Sequence, residues 1–298
     1  MNDRVLITGA SGLLGASLGI TLSKSGQDVL GIRRSHPRSL PYLEAVLDLL
    51  DKTSVANIAR DFKPTAFVHA AALSKVIECE ANPRQAHAQN VETTKTLLDI
   101  ASESRAYVIY ISTDQVFDGR RAEYSETDTP APTHIYGKTK REAELLVEAA
   151  SKTHLILRSN NIVGRNSGWG RSFTDSLLEQ HTQAQPVELF HDQYRSPVHL
   201  SAIVSAIMGC IRNRVSGVLH VGGPERLSRY ETGLTLAKAY NFSPDLLTSV
   251  SMKTHPQAST FHVDGSFCTN KLRSLFPDSG NFTIADGFRR DALMQEQT

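Results

Sequence analysis

The sequence predicts a doubly wound α/β fold, a parallel sheet with helices on both faces and a smaller C-terminal lobe. Three observations carry that expectation: strands that are apolar throughout, helical patterns that alternate with them, and a glycine-rich turn joining the first strand to the first helix. Residues 5–8 are apolar and β-branched, the composition of a buried strand, and the run stops at Gly9. From 13 to 24 the apolar positions recur at helical spacing, and Gly26 supplies the stop. Residues 28–33 read as a second strand, and 66–69, 107–111 and 155–157 as further buried strands. Helical patterns over 55–61, 84–102 and 137–150 separate them. After about residue 160 the pattern loosens. Residues 164–170, rich in Gly, Asn and Ser, read as a loop, 172–180 and 200–212 as helices, 218–221 as a late strand and 230–240 as another helix. The division that follows is a sheet domain over 1–160 and a lobe made mainly of 161–298, part of which (about 200–240) can return to the sheet. A single undivided domain is the alternative.

Composition narrows the function. The 298 residues are 40% hydrophobic and 21% charged, ordinary values for a chain with a real core. The net charge is +1, and basic pairs such as Arg33–Arg34 and Arg120–Arg121 are too small to form a polyanion-binding stripe, so a nucleic-acid partner is not expected. Cys79, Cys210 and Cys268 are odd in number and far apart, which fits a reducing compartment rather than a disulfide framework or a zinc site. His191 and His199 lack ligand spacing to Cys or carboxylates, so no metal is expected. The first four residues lead straight into an apolar strand, and no window approaches the roughly eighteen apolar residues of a membrane helix. Neither a signal peptide nor a membrane span is expected, and the cytoplasm is the default location.

The first strand runs into Gly9-Ala10-Ser11-Gly12-Leu13-Leu14-Gly15. Glycines at these positions let the chain turn sharply, bring backbone close to a pyrophosphate and pack the helix tightly on the sheet. The helix N-terminus then offers N–H groups and a partial positive charge to the anion. Set between a predicted strand and a predicted helix, the turn is a dinucleotide-binding fingerprint of Rossmann type. The end of the second strand should then choose the cofactor. An acidic residue there would hold the ribose 2′-hydroxyl of NAD, but this chain reads Gly31-Ile32-Arg33-Arg34, with no carboxylate until Glu44. Two guanidiniums suit the 2′-phosphate of NADP(H), with NAD(H) the alternative. Asp48 and Leu49 follow a third apolar stretch and are placed to cap the adenine.

Tyr136 and Lys140 lie four residues apart at the start of a predicted helix and so share a face. A phenol titrates near ~10, and a neighbouring ammonium should pull it down toward useful acid–base chemistry. Upstream, Thr113 ends an apolar strand, where ligands of an open parallel sheet bind. Its hydroxyl is therefore the candidate to hold a substrate oxygen while Tyr136 moves the proton. Ser112 is the alternative donor, facing the other side.

These residues resemble the short-chain dehydrogenase/reductase superfamily in its extended form, which acts on nucleotide sugars. The matching motifs are GxxGxxG at 9–15, His69-Ala70-Ala71-Ala72, Asn90-Val91 and YxxxK at 136–140. The stretches Ile111-Ser112-Thr113-Asp114-Gln115-Val116-Phe117-Asp118-Gly119 and 124–132 are similar to the dTDP-4-dehydrorhamnose reductase branch. The resemblance implies NADPH-dependent reduction of a 4-keto-6-deoxy sugar carried on a nucleotide. It makes Tyr136 the proton donor, gives Lys140 a contact with the nicotinamide ribose, has Thr113 position the carbonyl, and lines the cofactor with Gly12–Leu14, Ala71 and Ala72. Asp114 would join Thr113 on the substrate side, and Asn90 would be structural or part of a proton relay. A homodimer is the family's usual habit.

Gln115 replaces the second acidic residue that the related dehydratases carry for water elimination, which favours a reductase. Asn161 stands where the branch has a Trp, and Arg195 where it has a glycine, so the sugar stays open. By analogy with the extended group, Arg195 is a candidate for the substrate diphosphate, with a surface ion pair as the other reading. Two further functions remain: a nucleotide-sugar epimerase, and a non-catalytic NADP-binding regulatory subunit like the β subunit of methionine adenosyltransferase, which shares the tyrosine–lysine pair.

Overall fold

Strands with no polar face must be covered on both sides, and the computed structural model, which describes residues 3–35, 38–165, 168–255, 258 and 261–296, has that arrangement. β1 (Arg4–Thr8) leads through α1 (Leu13–Lys24) to β2 (Asp28–Arg33), β3 (Leu43–Val46), α2 (Lys52–Phe62) and β4 (Ala66–His69). Two short helices, α3 (Val76–Ala81) and α4 (Pro83–His87), pass through one π-helical turn, Ala88–Glu92, into α5 (Thr93–Ser104) and β5 (Tyr107–Thr113). Next come α6 (Ile135–Ala150), β6 (Leu155–Ser159), β7 (Ile162–Val163), α7 (Phe173–Thr182), β8 (Val187–Phe190), β9 (Tyr194–Arg195) and β10 (Val198–His199). Then follow α8 (Leu200–Asn213), β11 (Gly217–Val221), β12 (Leu227–Ser228), α9 (Arg229–Ala239), β13 (Leu247–Val250), α10 (Asn270–Leu275), α11 (Pro277–Gly280) and α12 (Ile284–Glu296).

Seven strands form one sheet in the order β11-β6-β5-β4-β1-β2-β3, and every pairing in it is parallel. The chain runs outward from β1 to β3 on one side and from β4 to β6 on the other, so a crevice opens between the carboxyl ends of β1 and β4. Side chains alternate across the sheet. Val5 and Ile7 face α1 and α8 through Leu18, Ile203 and Ile207, while Leu6 faces α2, α5 and α6 through Val55, Leu97 and Val147. A third cluster, with Leu177, Leu189, Leu236 and Phe288, is the core of the lobe. The predicted doubly wound class is the one observed.

The stretch from 200 to 240 divides: α8 and β11 complete the sheet layer, whereas α9 packs into the lobe. The single helix expected over 84–102 is interrupted by the π turn, which buries Asn90. Two residues of the loop expected over 164–170, Asn166 and Ser167, lie outside the described residues. Among the described residues no helix is long and apolar enough to cross a membrane.

A charge cluster ties α6 to the sheet. Glu144 and Arg158 are 0% and 2% exposed and form two hydrogen bonds of 2.8 Å. Ser112 Oγ donates to the same carboxylate at 2.6 Å and Arg141 Nη1 at 2.9 Å. Removing one partner of such a pair strands the other in the interior. Arg158→Leu should therefore lower the unfolding free energy by about 3–5 kcal/mol in urea titrations, and a loss below about 1 kcal/mol would contradict this reading of the cluster.

Candidate active site

The glycine turn closes on itself and on β4. Gly9 takes φ +69°, in the left-handed region, and a Cβ there would lie 2.8 Å from the Ala71 nitrogen. A Cβ at Gly15 would collide with the Gly9 carbonyl oxygen. Gly12 caps α1 with no side-chain bond and no acidic residue follows in the first turn, so the helix presents its positive end to the crevice. Here begins a groove of about 700 Å³ whose near wall is Gly9, Ser11 and Gly12 to Gly15. Ala71 and Ala72 line the opposite wall, and Ala71 N–H donates to Thr8 Oγ1 at 3.3 Å. Asn90 holds that wall in place. Its Oδ1 accepts from Leu73 N–H at 2.8 Å, and its Nδ2 donates to Leu73 O and to Thr139 Oγ1 on α6.

At the far end of β2 the two arginines part company. Arg33 is 8% exposed, and its Nε and Nη2 each lie 2.8 Å from Glu44, in the neighbouring strand β3. The guanidinium, helped by Leu40 N–H, holds the Glu44 carboxyl down at about 2. Both arginines line the groove, Arg33 paired with Glu44 and Arg34 exposed at the wall. Asp48 and Leu49 line the same end, with Asp48 Oδ1 accepting from Leu50 N–H at 2.9 Å.

At the other end of the groove stand Thr113, Tyr136 and Lys140. His134 caps α6, its Nδ1 accepting from Gly137 N–H at 3.1 Å, and Glu80 accepts from Ile135 N–H at 2.6 Å. The Ser112 hydroxyl is committed to Glu144, so Thr113 is the hydroxyl left to the groove that Tyr136 also lines. Lys140 is 2% exposed; its Nζ donates to Ile111 O at 2.7 Å and lies 4.0 Å from the centroid of the Tyr110 ring. Burial pulls this ammonium down to about 7, against the opposing pull of Glu144. Burial also pushes the Tyr136 phenol above its ordinary value. That reverses the expectation that Lys140 lowers it. The ammonium is aimed at a carbonyl and a ring face, and desolvation outweighs it. Tyr136 therefore holds its proton more tightly than an ordinary phenol.

Asp114 accepts from Thr113 Oγ1 at 3.1 Å, from Gln115 Nε2 at 3.2 Å and from Arg195 Nε at 2.9 Å. Arg195 forms a buried ion pair rather than a surface one. It is 7% exposed, with Nη1 donating to Tyr194 O and His262 O. Together with Asn161 and Ile162, which also line the main groove, it borders a second cavity of about 170 Å³. Sequence reasoning missed the chain His134 Nε2 to Gln115 Oε1 (2.8 Å) to Asp114. It also missed Asn160, whose Oδ1 accepts from Asn161 and Ser196 N–H. Glu144 was findable, since it sits four residues past Lys140 on the face that carries Tyr136.

A family model described as the RmlD substrate-binding domain matches residues 3–277. The chain belongs to this family. RmlD-type relatives include the dTDP-4-dehydrorhamnose reductase of Aggregatibacter actinomycetemcomitans, 30% identical over 241 residues, 78% of each chain. The methionine adenosyltransferase 2 subunit beta of Pongo abelii is 31% identical over 258 residues, 84% of this chain and 76% of the relative. The RmlD-like fold recurs in the dTDP-4-dehydrorhamnose reductase of Bacillus anthracis in complex with NADP, with TM-score 0.85, 24% identity and coverage of 99% and 100% of the two chains. It recurs too in a hypothetical dTDP-4-dehydrorhamnose reductase of Sulfolobus tokodaii, with TM-score 0.84, 28% identity and coverage of 95% and 98%.

Lys140 gives this RmlD-family site a pH signature. Its folded-state value, about 7, lies below that of an unfolded lysine. Burial of the charge therefore destabilises the fold below pH 7, and that penalty is lost as the pH rises towards the unfolded value. Between about pH 7 and 9, wild-type stability should rise relative to Lys140→Met in parallel urea titrations. A pH-independent difference would contradict the burial of a charged ammonium.

Proposed function

We propose that this chain is an NADPH-dependent reductase of a nucleotide-linked 4-keto-6-deoxy sugar, resembling dTDP-4-dehydrorhamnose reductase. The observation that carries the reading is that Thr113, Tyr136 and Lys140 line the same groove that begins at the glycine turn. The residues present fit a dinucleotide. The glycine cradle leaves no room for side chains, the α1 N-terminus is open to a pyrophosphate, and Arg34 is exposed where a 2′-phosphate would lie. Gly9, Ser11, Gly12, Leu13, Leu14, Gly15, Arg34, Asp48, Leu49, Ala71 and Ala72 would hold the cofactor, which supplies hydride when bound.

The protein's own part is the proton. Thr113 Oγ1 donates to Asp114 Oδ1 and stands beside the Tyr136 phenol, where its hydroxyl favours the ionised form. A substrate carbonyl oxygen would take the hydrogen of the Tyr136 phenol. The Lys140 ammonium, on the same helix face and anchored by Ile111 O, is the charge that would favour the phenolate left behind. Gln115 is held as an amide between His134 and Asp114 and neither takes nor gives a proton, which favours reduction over water elimination. Asn161, on the substrate side of the groove, is the residue through which the sugar would be chosen.

The second reading, a non-catalytic NADP-binding regulatory subunit, is favoured by the similarity to methionine adenosyltransferase 2 subunit beta. NADPH oxidation on adding a dTDP-4-keto-6-deoxy sugar separates the two. Tyr136→Phe should reduce that rate by about 100-fold or more while NADPH affinity holds. Tight NADPH binding with no oxidation across a panel of keto-sugar nucleotides would overturn the reductase in favour of the binding subunit.

A further inference from the structure

Two hydrogen bonds leave the His134 ring a single protonation state. The residue is 6% exposed and caps α6 just before Tyr136. Its Nδ1 accepts from Gly137 N–H at 3.1 Å, so that nitrogen carries no proton. Its Nε2 lies 2.8 Å from Gln115 Oε1. The Gln115 amide is oriented from its other end, where Nε2 donates to Asp114 at 3.2 Å. Asp114 also takes the Thr113 hydroxyl hydrogen and pairs with Arg195 Nε. A carboxylate paired with an arginine only accepts, so the amide turns its nitrogen to Asp114 and its oxygen to His134. The imidazole therefore carries its one proton on Nε2 and gives it to Gln115. Capping needs only an acceptor, which a shorter side chain such as Asn supplies. The bond to Gln115 reaches beyond that need and ties the start of α6 to Thr113.

A charged ring does not fit this place. The second proton of an imidazolium would sit on Nδ1, against the Gly137 N–H that already points there. The ring can take that proton only by leaving the cap, and its Nε2 then leaves Gln115 with it. The surroundings resist the charge as well. The ring is stacked between His262, at 5.1 Å, and Tyr136, at 6.2 Å between centroids. His262 is itself kept neutral by burial and by the nearby charge of Arg195. Burial holds His134 below the ordinary histidine value; Glu80 on α3 favours the imidazolium and Lys138 on α6 opposes it.

We propose that His134 is a positioning residue: its neutral ring locks Gln115, Asp114 and Thr113 to the start of α6, and turnover fails when the ring takes a second proton. Its role in turnover rests on the reductase reading. Steady-state reduction of a dTDP-4-keto-6-deoxy sugar tests it, from about pH 5 to 8, over the range in which each protein stays folded. Wild type is compared with His134→Ala and His134→Asn, with NADPH affinity and urea midpoints measured alongside. Asn restores a cap but not the reach to Gln115. It should therefore recover the urea midpoint that Ala loses, while its kcat stays about 10- to 100-fold below wild type and its NADPH affinity holds. Wild-type kcat should fall on an acid limb below the ordinary histidine value of about 6.5, and His134→Asn should lack that limb. Nitrogen-15 NMR of the histidine-labelled, NADPH-saturated protein reads the ring itself. The signal lost in His134→Asn should be that of a neutral, Nε2-protonated imidazole. Wild-type kcat with an unchanged acid limb in His134→Asn would overturn the proposal, as would an imidazolium or an Nδ1-protonated ring at neutral pH. The two readings fail differently. Wild type that reduces no keto sugar removes the reductase and the role of the ring in turnover together. Wild-type turnover that His134→Asn retains in full removes the positioning role alone.

Discussion

A carboxylate buried away from water must be answered by donors, and Glu144 is answered from three elements at once. Arg158 reaches it from β6, Ser112 from β5 and Arg141 from its own helix. The cluster fixes the rotation and height of α6 over the carboxyl end of the sheet. Lys140 lies one turn back along that helix and Tyr136 another, so a structural ion pair sets where these two side chains start from. The same helix is tied on its other side to the wall after β4, through Asn90 and Thr139. Geometry at the site is inherited from these contacts rather than made there.

Charge pairing then decides which groups meet a ligand. Arg33 is neutralised by Glu44 and Arg195 by Asp114, each across elements that only the fold brings together. Arg34 is left exposed at one end of the groove. At the other end burial pushes the Tyr136 phenol up and pulls the Lys140 ammonium down to about 7. A phenol held above its ordinary value keeps its proton at neutral pH but is the weaker acid, so giving the proton up needs a positive charge to favour the phenolate.

Much of this was legible in the sequence because it is local. The strand, glycine turn and helix at the N-terminus lie within residues 4–24, and the tyrosine–lysine spacing within a single turn. What stayed hidden depends on tertiary contact. Glu44 follows Arg33 by eleven residues and pairs with it only because β3 lies beside β2. Asp114 and Arg195 belong to the sheet and the lobe, and neither residue names the other. The π turn at Ala88–Glu92 breaks a helix whose apolar spacing reads as continuous, and strands of two residues such as β7, β9 and β10 have no periodicity to detect. The expected lowering of the Tyr136 phenol failed for the same reason: spacing shows a neighbour, but not the depth at which both are buried.

The central claim is that the groove reduces a carbonyl rather than merely holding a cofactor, and isotope transfer tests it most directly. NADPH carrying deuterium at the transferable ring position is incubated with the protein and dTDP-4-keto-6-deoxy sugar, and the sugar product is weighed by mass spectrometry. A reductase delivers the deuterium to the former carbonyl carbon, and the product gains it. Recovery of unlabelled keto sugar from protein shown to be saturated with the labelled cofactor, on this and every other keto-sugar nucleotide offered, would contradict the claim.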